Sequence, residues 1–167
     1  MLKGMTAPLI KDAAATYGVI LGRATAAQSL TTQTTLQNAT SLSFAIAASE
    51  EWVADFCLDI GALLATTGLK IAINAPAGAT LNLTVGLHAS IVTALNVLSG
   101  RTTAIATAID FTAATLVAMT SSTVHGQLWV LNSTTAGTMQ LQFAQSTSSA
   151  SALTIQKGSF LRAFRVA

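Results

Sequence analysis

Asp55, Asp59, His88, His125 and Cys57 are the residues whose types could do chemistry, so their spacing decides what chemistry is open to the chain. Asp55 and Asp59 share one side of an extended segment, but positions i and i+4 of a strand lie about 13 Å apart. That is too far for a shared metal or an acid/base pair, and both read as solvated or interface carboxylates. His88 and His125 fall at strand positions with no carboxylate or Cys nearby in sequence, and there is no third His. They read as satisfied sheet or interface histidines rather than as ligands or bases. Cys57 is the one cysteine, which excludes an intramolecular disulfide and every multi-Cys metal motif. Among alternating strand residues it reads as a small buried hydrophobe. No serine sits in G-x-S-x-G, and neither G-x-x-x-x-G-K-[ST] nor G-x-G-x-x-G occurs. The expectation is a protein without catalytic, cofactor or metal residues. Asn38, Asn82 and Asn132 match the glycosylation acceptor pattern, but in a chain this rich in Asn, Ser and Thr such matches arise by chance.

The composition points to binding. Of 167 residues 51% are hydrophobic and only 8% charged, against about 25% charged in ordinary soluble domains. A monomer with so few charges has little electrostatic protection against association. Much of its surface is therefore expected to be buried between subunits. A membrane span is not expected, because no window of about 20 residues is continuously apolar; the run from Phe111 to Gln156 is interrupted throughout by Thr, Ser, Asn and Gln. A transmembrane β-barrel needs aromatic girdles, and aromatics are 5%. The eight Lys and Arg are spread without a cluster and the formal net charge is +2, so nucleic acid is not an expected partner. The first residues lack the apolar core of a signal peptide, which implies synthesis and assembly in the cytoplasm.

The elements that carry these residues are strands. Val124, Gly126, Leu128 and Val130 alternate with His125, Gln127, Trp129 and Leu131. After the polar cluster Asn132 to Gly137 the alternation resumes with Met139, Leu141 and Phe143. That pattern predicts a β-hairpin. Leu153 and Ile155 and a closing strand from Phe160 to Val166 follow, the last entered through Lys157-Gly158-Ser159. Earlier, Leu42 to Ile46 and Trp52 to Ile60 read as strands, the second with Trp52, Ala54, Phe56, Leu58 and Ile60 on one face and Val53, Asp55, Cys57 and Asp59 on the other. Leu69 to Ile73 leads into a turn at Ala75-Pro76-Ala77-Gly78, then an alternating segment over Leu81 to His88. The middle, Ile91 to Leu98 and Ala104 to Ile109, reads as strands separated by Ser99-Gly100-Arg101 and bounded by Asp110. Residues 1–28 read differently. Thr6-Ala7-Pro8 has the form of a helix start, but Tyr17 to Gly22 breaks the pattern with glycines and β-branched residues. This stretch is expected to be an extended N-terminal arm, with residues 29–167 as the domain. Eight to ten short strands with frequent turn signals and no internal repeat predict an all-β fold, a jelly-roll-like β-sandwich.

Three segments resemble a family of tailed-bacteriophage virion proteins. The ending of those proteins reads roughly G-x-L-Q-L-Q-W-A-Q-N-T-S, a Thr/Ala-rich strand, then G-S-Y-L-R. The matching residues are Gly137, Gln140, Leu141, Gln142, Phe143, Ala144, Gln145, Thr147, Ser148, Gly158, Ser159, Phe160, Leu161 and Arg162, with Phe143 and Phe160 in place of Trp and Tyr. The family's R-x-T-A-D-Q and T-T-L-x-N-D-T-x-L-S-F-x-V-A-A-N-E-x-W are matched from Arg23 to Trp52, with Ala27 and Ala39 where Asp is usual. The third segment is Lys70 to Ala79. The resemblance implies a structural component of a phage virion, most specifically a capsid decoration or cement protein, with a tail or fibre subunit, with or without host-glycan binding, as the alternative. It also implies self-association as a homotrimer, the major capsid protein of the head as partner, and a place on the capsid surface. The interface residues expected are Leu9, Ile10, Tyr17, Arg23, Trp52, Trp129, Arg162 and Arg165, the tryptophans as core or interface anchors.

Overall fold

The computed structural model describes residues 19–61, 67–91, 94–112 and 121–166. They form twelve strands: β1 Val19–Arg23, β2 Gln28–Leu30, β3 Gln37–Ile46, β4 Glu51–Gly61, β5 Leu69–Asn74, β6 Thr80–Ile91, β7 Ala94–Thr102, β8 Ile109–Phe111, β9 Ser121–Leu131, β10 Gly137–Ala144, β11 Leu153–Ile155 and β12 Phe160–Arg165. Among the described residues there is no helix.

The strands pair as a nest. β1 pairs β12, β2 pairs β11, β3 pairs β10, β4 pairs β9, β5 pairs β8 and β6 pairs β7, all antiparallel. The chain is thus one long two-stranded ribbon whose tip is the β6–β7 hairpin. Rolling that ribbon sends successive pairs to different layers. The larger sheet runs β1-β12-β4-β9-β6-β7 with β11 and β2 attached at β4, and the smaller runs β3-β10-β5-β8. A rolled ribbon in two packed sheets is the jelly-roll β-sandwich.

Period-two alternation builds the core. In β4, Trp52, Ala54, Phe56, Leu58 and Ile60 are buried while Val53 and Asp59 are exposed, as the alternation predicts. Leu81, Leu83, Val85 and Leu87 of β6 and Val124, Leu128 and Val130 of β9 continue the layer, facing Phe44, Ile46, Ile71, Ile73, Leu141 and Phe143 of the smaller sheet. Each such side chain contributes about 1.5–3 kcal/mol by leaving water. The turn at Pro76 closes with Ala79 N–H donating to Pro76 O at 3.2 Å. Gly78 there has φ +80°, a left-handed conformation that suits glycine.

Several expectations are corrected by the pairing. β9 and β10 are not a hairpin: β9 lies between β4 and β6, and β10 lies between β3 and β5 in the other sheet. The intervening polar residues carry the chain from one layer to the other, and buried Asn132 fastens the crossing by donating to Ala47 O at 2.7 Å and Thr135 O at 2.8 Å. Ser99-Gly100-Arg101 is no break, because β7 runs through it. Gly100 is there because the Ile109 side chain fills the space a Cβ would take. Residues 104–108 turn instead of forming a strand, with Ala106 at φ 53° and its N–H donating to Ile73 O at 2.8 Å. Of the expected arm, residues 1–18 lie outside the described residues, and Leu9, Ile10 and Tyr17 with them. Within that arm Val19–Arg23 forms β1 and pairs β12 in the larger sheet.

Candidate functional site

The outer face of the larger sheet collects the residues that alternate with the core, and strand register sets them in rows. Val19, Phe164, Val53, Trp129 and Asn82 stand opposite one another across β1, β12, β4, β9 and β6. The next row is Leu21, Arg162, Asp55, Gln127, Thr84 and Arg101. A third runs through Arg23, Phe160, Cys57, His125 and Gly86. Four residues in the first row are apolar. Val19 is 45% exposed, Val53 38%, and Leu21 of the next row 66%. An open groove of about 450 Å³ lies over this region, bordered by Val53, Phe164, Trp129, Asp55, Gln127 and Asn82.

The polar neighbours of the groove are held in place by one another. Arg162 donates to both Asp55 oxygens, at 3.0 and 3.1 Å, and its guanidinium lies 5.5 Å from the Phe164 ring centre. The Arg162 side chain is 53% exposed and that of Asp55 35%, so solvent screens the pair and it contributes at most about 1 kcal/mol. Its effect is to fix the direction of both side chains. Arg101 Nε donates to Asn82 Oδ1 at 2.8 Å, and the Trp129 indole N–H donates to Glu51 Oε1 at 2.6 Å. The result is a rigid, half-buried aromatic beside exposed aliphatic groups, with the carboxylate and amide already partnered. Such a surface can bind. Among the described residues no group of three or more His, Cys, Asp and Glu could hold a metal ion, and no helix is long and apolar enough to cross a membrane.

Trp52 is core: it is 4% exposed and packs 5.2 Å from Phe44, ring centre to ring centre. Its indole N–H donates to Glu50 Oε2 at 3.0 Å. Arg162 and Arg165 lie on opposite faces, as their odd spacing predicts, and each has a partner within the chain, Asp55 and Glu50 respectively. Arg23 is exposed on β1. Cys57 is half-buried on the outer face, not in the core, because it alternates with Phe56 and Leu58. Burial, and secondarily the charge of Asp59, pushes its thiol up, which disfavours the reactive thiolate. His88 and His125 come together, their ring centres 5.4 Å apart at 88°.

Glu50 and Glu51, the partners of the two tryptophans, stand where the resembled family has the Glu of its E-x-W, a match that does not reveal those partnerships. Glu50 gathers three donors: Trp52, the Ala47 N–H at 2.8 Å and Arg165 at 3.0 Å. Partial burial raises its pKa, but those hydrogen bonds and the Arg165 charge outweigh it and hold the carboxyl below its ordinary 4.5. A carboxyl depressed by folding adds stability above its unfolded pKa and loses it as the pH falls through the folded one. Glu50→Gln is therefore expected to lower the urea midpoint at pH 7. The gap between variant and wild type should close as the pH is taken below 4.5. A gap constant from pH 7 to pH 3 would show that the charge of Glu50 does not matter.

No family model matches the chain, and no curated protein matches it. Among solved structures it is similar to chains of infectious bursal disease virus. The Gt strain is matched at 12% identity over 89% of this chain and 42% of that one, and the Gx strain at 14% over 88% and 41%. The VP2 subviral particle of the same virus is matched at 12% over 89% and 40%. The TM-score is 0.22 in all three, a value at which the likeness carries no argument. The chain spans about two fifths of the length of these neighbours.

Proposed function

We propose that this chain is a structural subunit of a virus particle that works by binding and not by catalysis, most specifically a decoration or cement protein of a tailed-phage head. In this reading it self-associates as a homotrimer and binds the major capsid protein on the outside of the shell. The observation that carries it is the row Val19, Phe164, Val53 and Trp129, an apolar stripe laid across four strands of an open sheet face. Cross-strand rows of this kind favour docking of a second surface, since burying them removes apolar area from water at about 25 cal/mol per Å². Three further features agree with it. The jelly roll recurs in viral capsid components, the sequence resembles phage virion proteins in three segments, and only 8% of residues carry charge.

Val53→Asp tests the stripe. It places a carboxylate in the middle of the apolar row and is expected to turn a trimeric mass into a monomeric one by light scattering, with the melting temperature of the separated subunit unchanged. A wild-type chain that is monomeric at micromolar concentration overturns self-association. Incubation with purified heads and purified tails then tests the location: comigration with heads supports decoration, and comigration with tails overturns it. A second reading, a tail or fibre subunit that binds host glycans, is favoured by Trp129 standing beside Asn82, Thr84 and Gln127 in the groove. It requires glycan-array binding that disappears in Trp129→Ala.

A further inference from the structure

We propose that His88 and His125 form a two-histidine site for a divalent transition-metal ion on the outer face of the larger sheet. The two residues are 37 positions apart in sequence, and the β6–β9 register brings them together: His125 stands opposite Gly86, and His88 is the next residue on the same face of β6. Both are exposed. Gly86 lies beside the His88 ring. A Cβ built there would lie 3.6 Å from His88 Nε2 and 4.0 Å from its Cδ2, so the His88 ring leans back along its strand over the bare backbone opposite His125.

The separation suits a shared ion. An imidazole nitrogen lies about 1 Å from the ring centre and metal–nitrogen bonds are about 2.0–2.1 Å, so two rings on one tetrahedral ion have centres about 5 Å apart. The observed distance is 5.4 Å, which a small rotation of either side chain accommodates. Imidazole nitrogen selects zinc, nickel and copper over calcium and magnesium, which require oxygen ligands. Among the described residues no third His, Cys, Asp or Glu joins the pair. Asp59 is in the same row as His88, with Thr123 between them, but two inter-strand spacings put it about 10 Å away. Water completes the coordination.

The site is independent of any role in a particle, and its test needs only the purified, tag-free chain. Nickel is the probe of choice because, unlike copper, it does not oxidise Cys57. Calorimetric titration with Ni²⁺ is expected to give one ion per chain with a Kd below about 1 mM. His88→Ala and His125→Ala should each weaken binding at least about tenfold, and the double variant should retain none. Cys57→Ser should bind as the wild type does, and Mg²⁺ should not compete. Circular dichroism of the two variants is expected to match that of the wild type, since both rings are exposed. Absence of binding, binding that survives both substitutions, or loss of binding in Cys57→Ser would each overturn the two-histidine assignment.

Discussion

Gly126→Ala is expected to destabilise the domain by about 3 kcal/mol or more, a large effect for the addition of one methyl group. Gly126 is buried in β9, directly opposite Phe56 of β4, and the Phe56 ring lies across the glycine where a Cβ would project. Phe56 is 1% exposed and packed on every side, and a close-packed interior gives it nowhere to move. Phe56→Ala should itself cost about 3–5 kcal/mol through the cavity it leaves. In that background the ring is gone, so adding the methyl at position 126 should be nearly neutral. Urea unfolding of the four proteins measures the coupling. Effects that add to within about 0.5 kcal/mol would show that the two residues do not share the space.

Gln145→Ala is expected to cost about 2–4 kcal/mol, although it removes no apolar packing of consequence. The side chain is fully buried. Its oxygen accepts from Gln33 N–H at 3.1 Å and Ser149 N–H at 3.2 Å, and its nitrogen donates to the carbonyls of Ser151 at 2.7 Å, Ser149 at 3.1 Å and Leu30 at 3.4 Å. Substitution orphans donors and acceptors on two segments at once, and each buried orphan costs about 1–3 kcal/mol. Gln145→Glu separates geometry from shape: it keeps the volume but turns a donor towards carbonyl oxygens into an acceptor, and should be at least as damaging. A Gln145→Glu protein that melts with the wild type at pH 7 would remove the hydrogen-bond account.

These two residues mark where the sequence was legible and where it was not. Alternation in β4 assigned every core residue from Trp52 to Ile60 correctly, because a strand with one dry face has to write that face at every second position. The all-β sandwich followed from the same signal. Partner choice did not, because alternation says which face is buried and nothing about which strand lies alongside. The β9–β10 hairpin failed for that reason. Gly100, which looked like punctuation, is a strand glycine made necessary by Ile109. In the segment Gln140-Leu141-Gln142-Phe143-Ala144-Gln145 the glutamines suit a solvated or a paired sheet face, and alternation does not say which. In the fold Gln140 donates to Ala39 O at 2.9 Å and Leu42 O at 3.3 Å across an irregularity in β3, Gln142 donates to Asn38 at 2.9 Å, and Gln145 is buried. The outer face was half legible: Val53 was placed there, but Phe164 and Trp129 join it only through register. The histidine pair was invisible for the same reason.

The nested pairing also governs how the domain comes into being. β1 can find its place only against β12, some 140 residues later in the chain. The tip hairpin β6–β7 has partners close in sequence, and each pair outward from it closes a longer loop. Folding is expected to proceed from that tip towards β1, on the millisecond-to-second scale of proteins dominated by distant contacts. During that interval the sheet edges are unpaired in a chain with almost no charge to keep copies apart, the condition in which strands of different molecules join. A newly made chain therefore runs its greatest risk of clumping while β1 is still waiting for its neighbour.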